Sequence, residues 1–136
     1  MRVALIQMSV TADRARNITA ACQHIRRAAE GGADMAVLPE MFCCPYDNGC
    51  FRAYGETAGG LAQTALSQTA AELGIYVVGG SLPELEGGKV YNTCYVYGRR
   101  GELLAKHRKV HLFDIDVEGG QRFMESDTLS PGDQIT

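Results

Sequence analysis

Glu40, Lys109 and Glu125 are the side chains of this sequence best suited to moving protons and holding charge during a reaction. Glu40 follows Leu38-Pro39 at the C-terminal end of an apolar strand, where open α/β sheets place their ligands. Burial at such a position raises a carboxyl toward general-base territory. Taken alone, a single Glu in a strand-to-loop turn is more often a solvated acid. Lys109 sits in Lys106-His107-Arg108-Lys109-Val110-His111, and strand alternation puts it on one face with Leu103 and Ala105. An inward amine there requires an anion, and opposite Glu40 it could also stabilise an oxyanion in acyl transfer. On spacing alone, a basic run solvated along an edge strand is the stronger reading. Glu125, in Phe123-Met124-Glu125-Ser126-Asp127, is either a second acid near the first or part of a capped helix or turn.

Other chemistry-bearing residues carry less. Cys43 and Cys44 lie close behind Glu40, but adjacent side chains point in different directions and small buried thiols are usually packing, the reading preferred for both. His24, His107 and His111 have no metal-ligand spacing, since the pair at 107 and 111 would meet only on a helix. Gly79-Gly80-Ser81 lacks the further glycine or lysine of a phosphate cradle, so a close approach of two backbones is expected there.

These residues must be positioned by an α/β framework. Val3 to Met8 is a continuous apolar run of strand length, and Ala15, Ile18, Cys22, Ile25 and Ala29 then recur at helical spacing. Asp13 is a candidate N-cap and Gly31-Gly32 a stop. Met35 to Leu38 reads as a second buried strand, which makes the first forty residues a βαβ unit with parallel strands. After an irregular loop, Ala62, Ala65, Leu66, Thr69 and Leu73 mark a helix ending at Gly74, followed by the apolar strand Ile75 to Val78. From Val90 the pattern changes to a hairpin: Val90 to Tyr97, a turn at Gly98 to Gly101, and a return strand from Leu103. The sheet is therefore expected to be mixed. The last residues, Ser130-Pro131-Gly132 through Thr136, read as a turn leading into a new strand, an odd place for a domain to finish. Residues 1–136 are accordingly expected to form one domain that is incomplete at its C-terminus.

Composition narrows the class. Thirteen basic and sixteen acidic side chains give a net charge of −3, spread along the chain, so nucleic acid is not an expected partner. The N-terminal apolar run is too short for a signal segment, and no later run could cross a bilayer, which predicts a cytoplasmic protein without membrane contact. Five cysteines, an odd count without paired C-x-x-C spacing, read as reduced thiols rather than disulfides or a zinc site.

In order along the chain, Val3 to Met8, Leu38-Pro39-Glu40-Met41-Phe42, Cys44-Pro45-Tyr46, Gly79-Gly80-Ser81, Tyr91-Asn92-Thr93 and Arg108-Lys109-Val110-His111-Leu112-Phe113 together resemble the nitrilase superfamily of carbon–nitrogen hydrolases. His111 to Val117 and Glu125 to Gly132 look most like its omega-amidase branch. The resemblance implies an αββα sandwich with mixed sheets, here its N-terminal half, usually dimerised into a longer sandwich. It also implies a cofactor-free, metal-free Glu–Lys–Cys triad that hydrolyses non-peptide C–N bonds of a small-molecule amide. Carried over by motif, Glu40 becomes the general base, Lys109 the catalytic lysine and Glu125 an auxiliary second glutamate. The family nucleophile follows a Gly-rich strand downstream of Ser130-Pro131-Gly132 and so is expected beyond residue 136. N-carbamoyl amidohydrolase or nitrilase activity are alternatives within the superfamily. A non-catalytic α/β module that binds a small molecule or a partner is the alternative from another class. A downstream Gly-rich strand ending in Cys separates the enzyme from the module.

Overall fold

In a computed structural model that describes residues 1–136, Asp13 caps the first helix as its sequence position suggests. Its extended backbone turns the carboxylate onto the Arg16 N–H, satisfying one of the free donors of α1 (Arg14–Glu30). The buried residues of α1, Asn17, Ile18, Ala21 and Ile25, recur every three or four positions and form one stripe. Gly31 ends the helix, its N–H capping the Arg27 carbonyl while the Gly32 N–H caps Ala29. The second long helix, α3 (Leu61–Leu73), starts without a side chain at its N-cap Gly60; instead the buried Glu56 carboxylate takes the Ala62 N–H. Gly74 ends it at φ 64°, the left-handed conformation a glycine adopts at least cost. A single turn, α2 (Asn48–Phe51), interrupts the long loop that leads into α3.

Strands β1 (Val3–Leu5), β2 (Met35–Val37) and β3 (Tyr76–Val78) pair in parallel, because each is joined to the next through a helix. The long strand β5 (Lys89–Tyr97) then serves as the seam of the sheet. Along one edge it pairs antiparallel with β4 (Leu82–Glu86) and, further on, with β3; along the other it pairs with β6 (Leu103–Arg108). Beyond β6, β7 (Asp114–Asp116) and β8 (Arg122–Met124) form a small separate hairpin that runs into a 3-10 turn, Glu125–Asp127.

Both long helices lie on one face of the main sheet. Ala36, Val77, Tyr95 and Tyr97 point to that face and pack with Ile18, Ile25 and Leu66 in the larger core cluster. The alternate residues, among them Val37, Val78 and Cys94, line an open cleft on the other face. This corrects one expectation: β1 and β2 are not buried on both sides. Val3 is 48% and Leu5 80% exposed, because only one helical layer lies within these residues. β1 is also shorter than Val3 to Met8. Ile6 still donates to the Val37 carbonyl, after which the chain leaves the ladder toward α1. One helical layer on one mixed sheet is half of the expected αββα sandwich. No helix is long and apolar enough to cross a membrane.

Candidate active site

Glu40 is set by a tight piece of backbone just past β2. Leu38 still bonds to the Val78 carbonyl, Pro39 ends the ladder, and Met41 takes φ 50°, the one positive value outside glycine. Such a conformation costs on the order of 1–3 kcal/mol and persists only where neighbours enforce it. Here the neighbours are the Gly-Gly-Ser segment. Ser81 Oγ accepts the Met41 N–H at 3.0 Å, and the Ser81 carbonyl accepts the Phe42 N–H at 3.2 Å. Gly80 passes so close that a Cβ would lie 2.0 Å from the Pro39 oxygen. The expected close backbone approach is therefore present, and it sits directly behind the glutamate.

Lys109 follows β6. Its N–H donates to the Asn92 carbonyl at 2.8 Å and its own carbonyl accepts the Gly132 N–H at 2.9 Å, so the main chain is held from both sides. The amine reaches Glu40 Oε1 at 3.0 Å and Glu125 Oε2 at 3.0 Å, bridging two carboxylates 85 positions apart in the chain. Partial burial disfavours the ammonium, but the hydrogen bonds to Glu125 and Glu40 outweigh it and hold the Lys109 pKa above its ordinary value.

Glu125 opens the 3-10 turn and is fully buried. Besides the lysine, its carboxylate accepts the Tyr46 hydroxyl and the Phe113 N–H. Burial, followed by this bond to Glu125, pushes the Tyr46 phenol well above its usual range, so Tyr46 stays a donor. Both readings of Glu125 left open by the sequence thus apply: it begins a turn and it faces the lysine. Glu40 departs from expectation in one respect. Its side chain is 48% exposed rather than buried, and its surroundings are polar contacts. Asn92 supplies the other of these, Nδ2 donating to Glu40 Oε1 at 2.7 Å.

The basic run divides between the two sheet faces. His107 and Lys109 face the cleft, whereas Lys106 and Arg108 point behind the sheet to the buried Glu84. Arg108 grips Glu84 with Nε at 2.8 Å and Nη2 at 3.0 Å, also reaches Glu86 at 2.7 Å, and lies 3.9 Å over the Tyr91 ring. Burial would raise the Glu84 carboxyl, but Arg108, Lys106 and Thr93 together bring it down to about 2. The solvated-run reading is replaced by these two sets of partners.

The cleft, about 680 Å³, is lined by Glu40, Ser81, Asn92, Cys94, His107 and Lys109 among others. Burial raises the Cys94 thiol pKa. Cys43 and Cys44 are buried in different core clusters, and the adjoining Cys44 thiol, together with burial, raises the Cys43 thiol pKa. The arrangement can offer a proton acceptor at Glu40 beside a fixed cation at Lys109, with Glu125 as its counter-ion. Tyr46 and Asn92 were not singled out from sequence as site residues. Alternation along β5 does carry a signal for Asn92, since it shares a face with Cys94; Tyr46 is brought in over 79 positions and has no local signal.

The profile of the family described as carbon-nitrogen hydrolase matches residues 2–136. The chain is 50% identical over 135 residues to omega-amidase NIT2 of Xenopus tropicalis, covering 99% of this chain and 49% of that protein. The crystal structure of Saccharomyces cerevisiae Nit3, a member of branch 10 of the nitrilase superfamily, superposes with a TM-score of 0.86 at 38% identity, over 98% of this chain and 49% of that one. A Glu-to-Gln mutant of the amidase from Nesterenkonia sp. AN1, showing the result of Michael addition of acrylamide at the active site cysteine, aligns at 27% identity with a TM-score of 0.73, over 98% and 50% of the two chains. The chain spans about half the length of each of these relatives.

Proposed function

This chain belongs to the carbon–nitrogen hydrolase family, and on that premise we propose that it carries Glu40, Lys109 and Glu125 of an omega-amidase-like enzyme whose nucleophilic cysteine lies outside residues 1–136. The observation that carries this reading is the Lys109 ammonium held 3.0 Å from both Glu40 and Glu125 at the rim of an open cleft. Glu40 takes the proton from the cysteine thiol, and the thiolate sulfur attacks the amide carbonyl carbon. The negative charge that develops on the carbonyl oxygen is stabilised by the adjacent Lys109, which Glu125 keeps in place and protonated. Collapse breaks the C–N bond while Glu40 returns its proton to nitrogen, releasing ammonia and leaving a thioester. Water then loses a proton to Glu40, attacks the thioester, and frees the acid and the thiol. No cofactor or metal is required by these steps. Support for the cysteine comes from the Nesterenkonia amidase, which has an active site cysteine. Support for a small omega-amide substrate comes from the 50% identity to omega-amidase NIT2. The same reading gives a cytoplasmic homodimer in which the sandwich is extended across two subunits.

The test assays the full-length gene product and residues 1–136 side by side for ammonia release from a small omega-amide of a dicarboxylic acid. The full-length protein is expected to turn over and to lose turnover with Glu40→Gln or Lys109→Met, while residues 1–136 release none. Steady turnover by residues 1–136 that survives Glu40→Gln would sink both the external cysteine and the triad.

A further inference from the structure

Asn92 holds both of the groups that are to act on the substrate. Its main-chain oxygen takes the Lys109 N–H at 2.8 Å, and its side-chain Nδ2 gives a hydrogen bond to Glu40 Oε1 at 2.7 Å. The residue is 3% exposed and sits mid-strand in β5, paired with β4, so its amide has little freedom to turn away. Lys109 Nζ meets the same Glu40 oxygen, Oε1, at 3.0 Å. The hydrogen bonds from Asn92 and Lys109 therefore end on the same oxygen and leave Oε2 to other partners. A carboxylate that is itself 48% exposed would otherwise sample several rotamers. Two donors on Oε1 select one of them and leave Oε2 as the oxygen that exchanges protons.

We propose that Asn92 is a positioning residue for the general base: its amide fixes Oε1 of Glu40 and so presents Oε2 to the nucleophile. The proposal rests on the reading of Glu40 as the base. Asn92 touches no reacting atom, so its effect is on kcat rather than on substrate binding, and misplacing a catalytic group by about 1 Å costs on the order of 100-fold.

The experiment uses the full-length gene product with Asn92→Ala, Asn92→Asp and Glu40→Gln, each checked for folding by circular dichroism and thermal melting. Asn92→Ala is expected to lower kcat about 100-fold with KM within about threefold of wild type. Asn92→Asp keeps the shape but at neutral pH offers only acceptors, and is expected to lose at least as much. If Ala does not fold, Asn92→Ser takes its place, its hydroxyl being too short to reach Glu40. In the Glu40→Gln background, Asn92→Ala should change the residual rate less than about threefold, since the pair acts as a unit. Near-wild-type kcat for Ala, Ser or Asp, or losses that multiply in the Glu40→Gln background, overturn the positioning role while leaving the base in place. Full activity of Glu40→Gln removes the base itself, and the proposal with it.

Discussion

A buried carboxylate with three donors is a demanding object, and Glu125 is one: the Tyr46 hydroxyl, the Phe113 N–H and the Lys109 ammonium all converge on it. Glu125→Gln keeps the size but turns an NH2 group toward one of those donors, leaving at least one of them unpaired at a cost of about 1–3 kcal/mol. We expect this variant of the full-length protein to lose about 100-fold in kcat and to melt at a lower temperature, measured by ammonia release and calorimetry. Unchanged kcat would mean that Glu125 is packing only. Cys43 and Cys44 give a second residue-scale expectation. Both are 1% exposed or less, so alkylation of the folded protein should leave them unmodified under conditions that label exposed thiols, with peptide mapping as the readout. What sequence made legible here was Glu40, Lys109 and Glu125 as candidates, through motifs that surround each, and the fold brings the three side chains into contact. The partners that tune them were not legible, because Tyr46 and Asn92 meet their carboxylates across 79 and 52 positions.

At the scale of elements, α1, α3, β2 and the β5–β6 hairpin were readable because each carries its own local signal. Asp13 and Gly74 are caps at their places, the helical stripes repeat every three or four residues, and a glycine-bounded turn joins the two strands. β4, β7 and β8 were not readable: Leu-Pro-Glu-Leu-Glu, Asp-Ile-Asp and Arg-Phe-Met are short, charged or proline-bearing, with no apolar alternation of their own, and they become strands by pairing in local hairpins, β4 with β5 and β7 with β8. β4 owes its place partly to Glu84, whose folded carboxyl lies at about 2 against an ordinary 4.5. Because the folded value is the lower one, the stabilisation is fully present above about pH 4.5 and is lost as pH falls from there toward 2. Glu84→Gln should therefore be less stable than wild type at pH 7, with the gap narrowing below pH 4.5; a gap independent of pH between 7 and 3 in denaturant titrations would rule the charge out. Gly80→Ala is the harsher change. A Cβ at 2.0 Å from the Pro39 oxygen must push the Glu40 turn away, so both stability and kcat should fall, by more than about 2 kcal/mol and about tenfold respectively.

For the molecule as a whole, the expected sandwich reduces to a sheet with one covered face and one bare face. Val3, Leu5, Val37 and Val78 share the bare side, where strands this apolar ordinarily meet a second layer. Purified residues 1–136 should consequently bind a hydrophobic dye and associate in a concentration-dependent way in sedimentation experiments. Leu5→Lys should weaken both effects without altering the helical circular dichroism signal. A monomer that binds no dye would contradict this account of the face. Length and periodicity alone suggested buried strands at β1 and β2, since an apolar run reports that a residue is to be covered and does not report which segment covers it.

The irregularity between β5 and β6 bears on which insertions and deletions the gene can tolerate. Val96 pairs with Ala105 and Tyr97 with Leu103, so Leu104 is an extra residue with no partner of its own. Losing its codon would restore a regular ladder and leave every position from Ala105 onward facing as before. Gaining a codon between Ala105 and Arg108, in a strand that already carries its one spare residue, would instead reverse the faces downstream, carrying the lysine to the helix side and an arginine to the cleft. Deletion of Leu104 from the full-length gene product should thus preserve ammonia release, while single-codon insertions between Ala105 and Arg108 should abolish it.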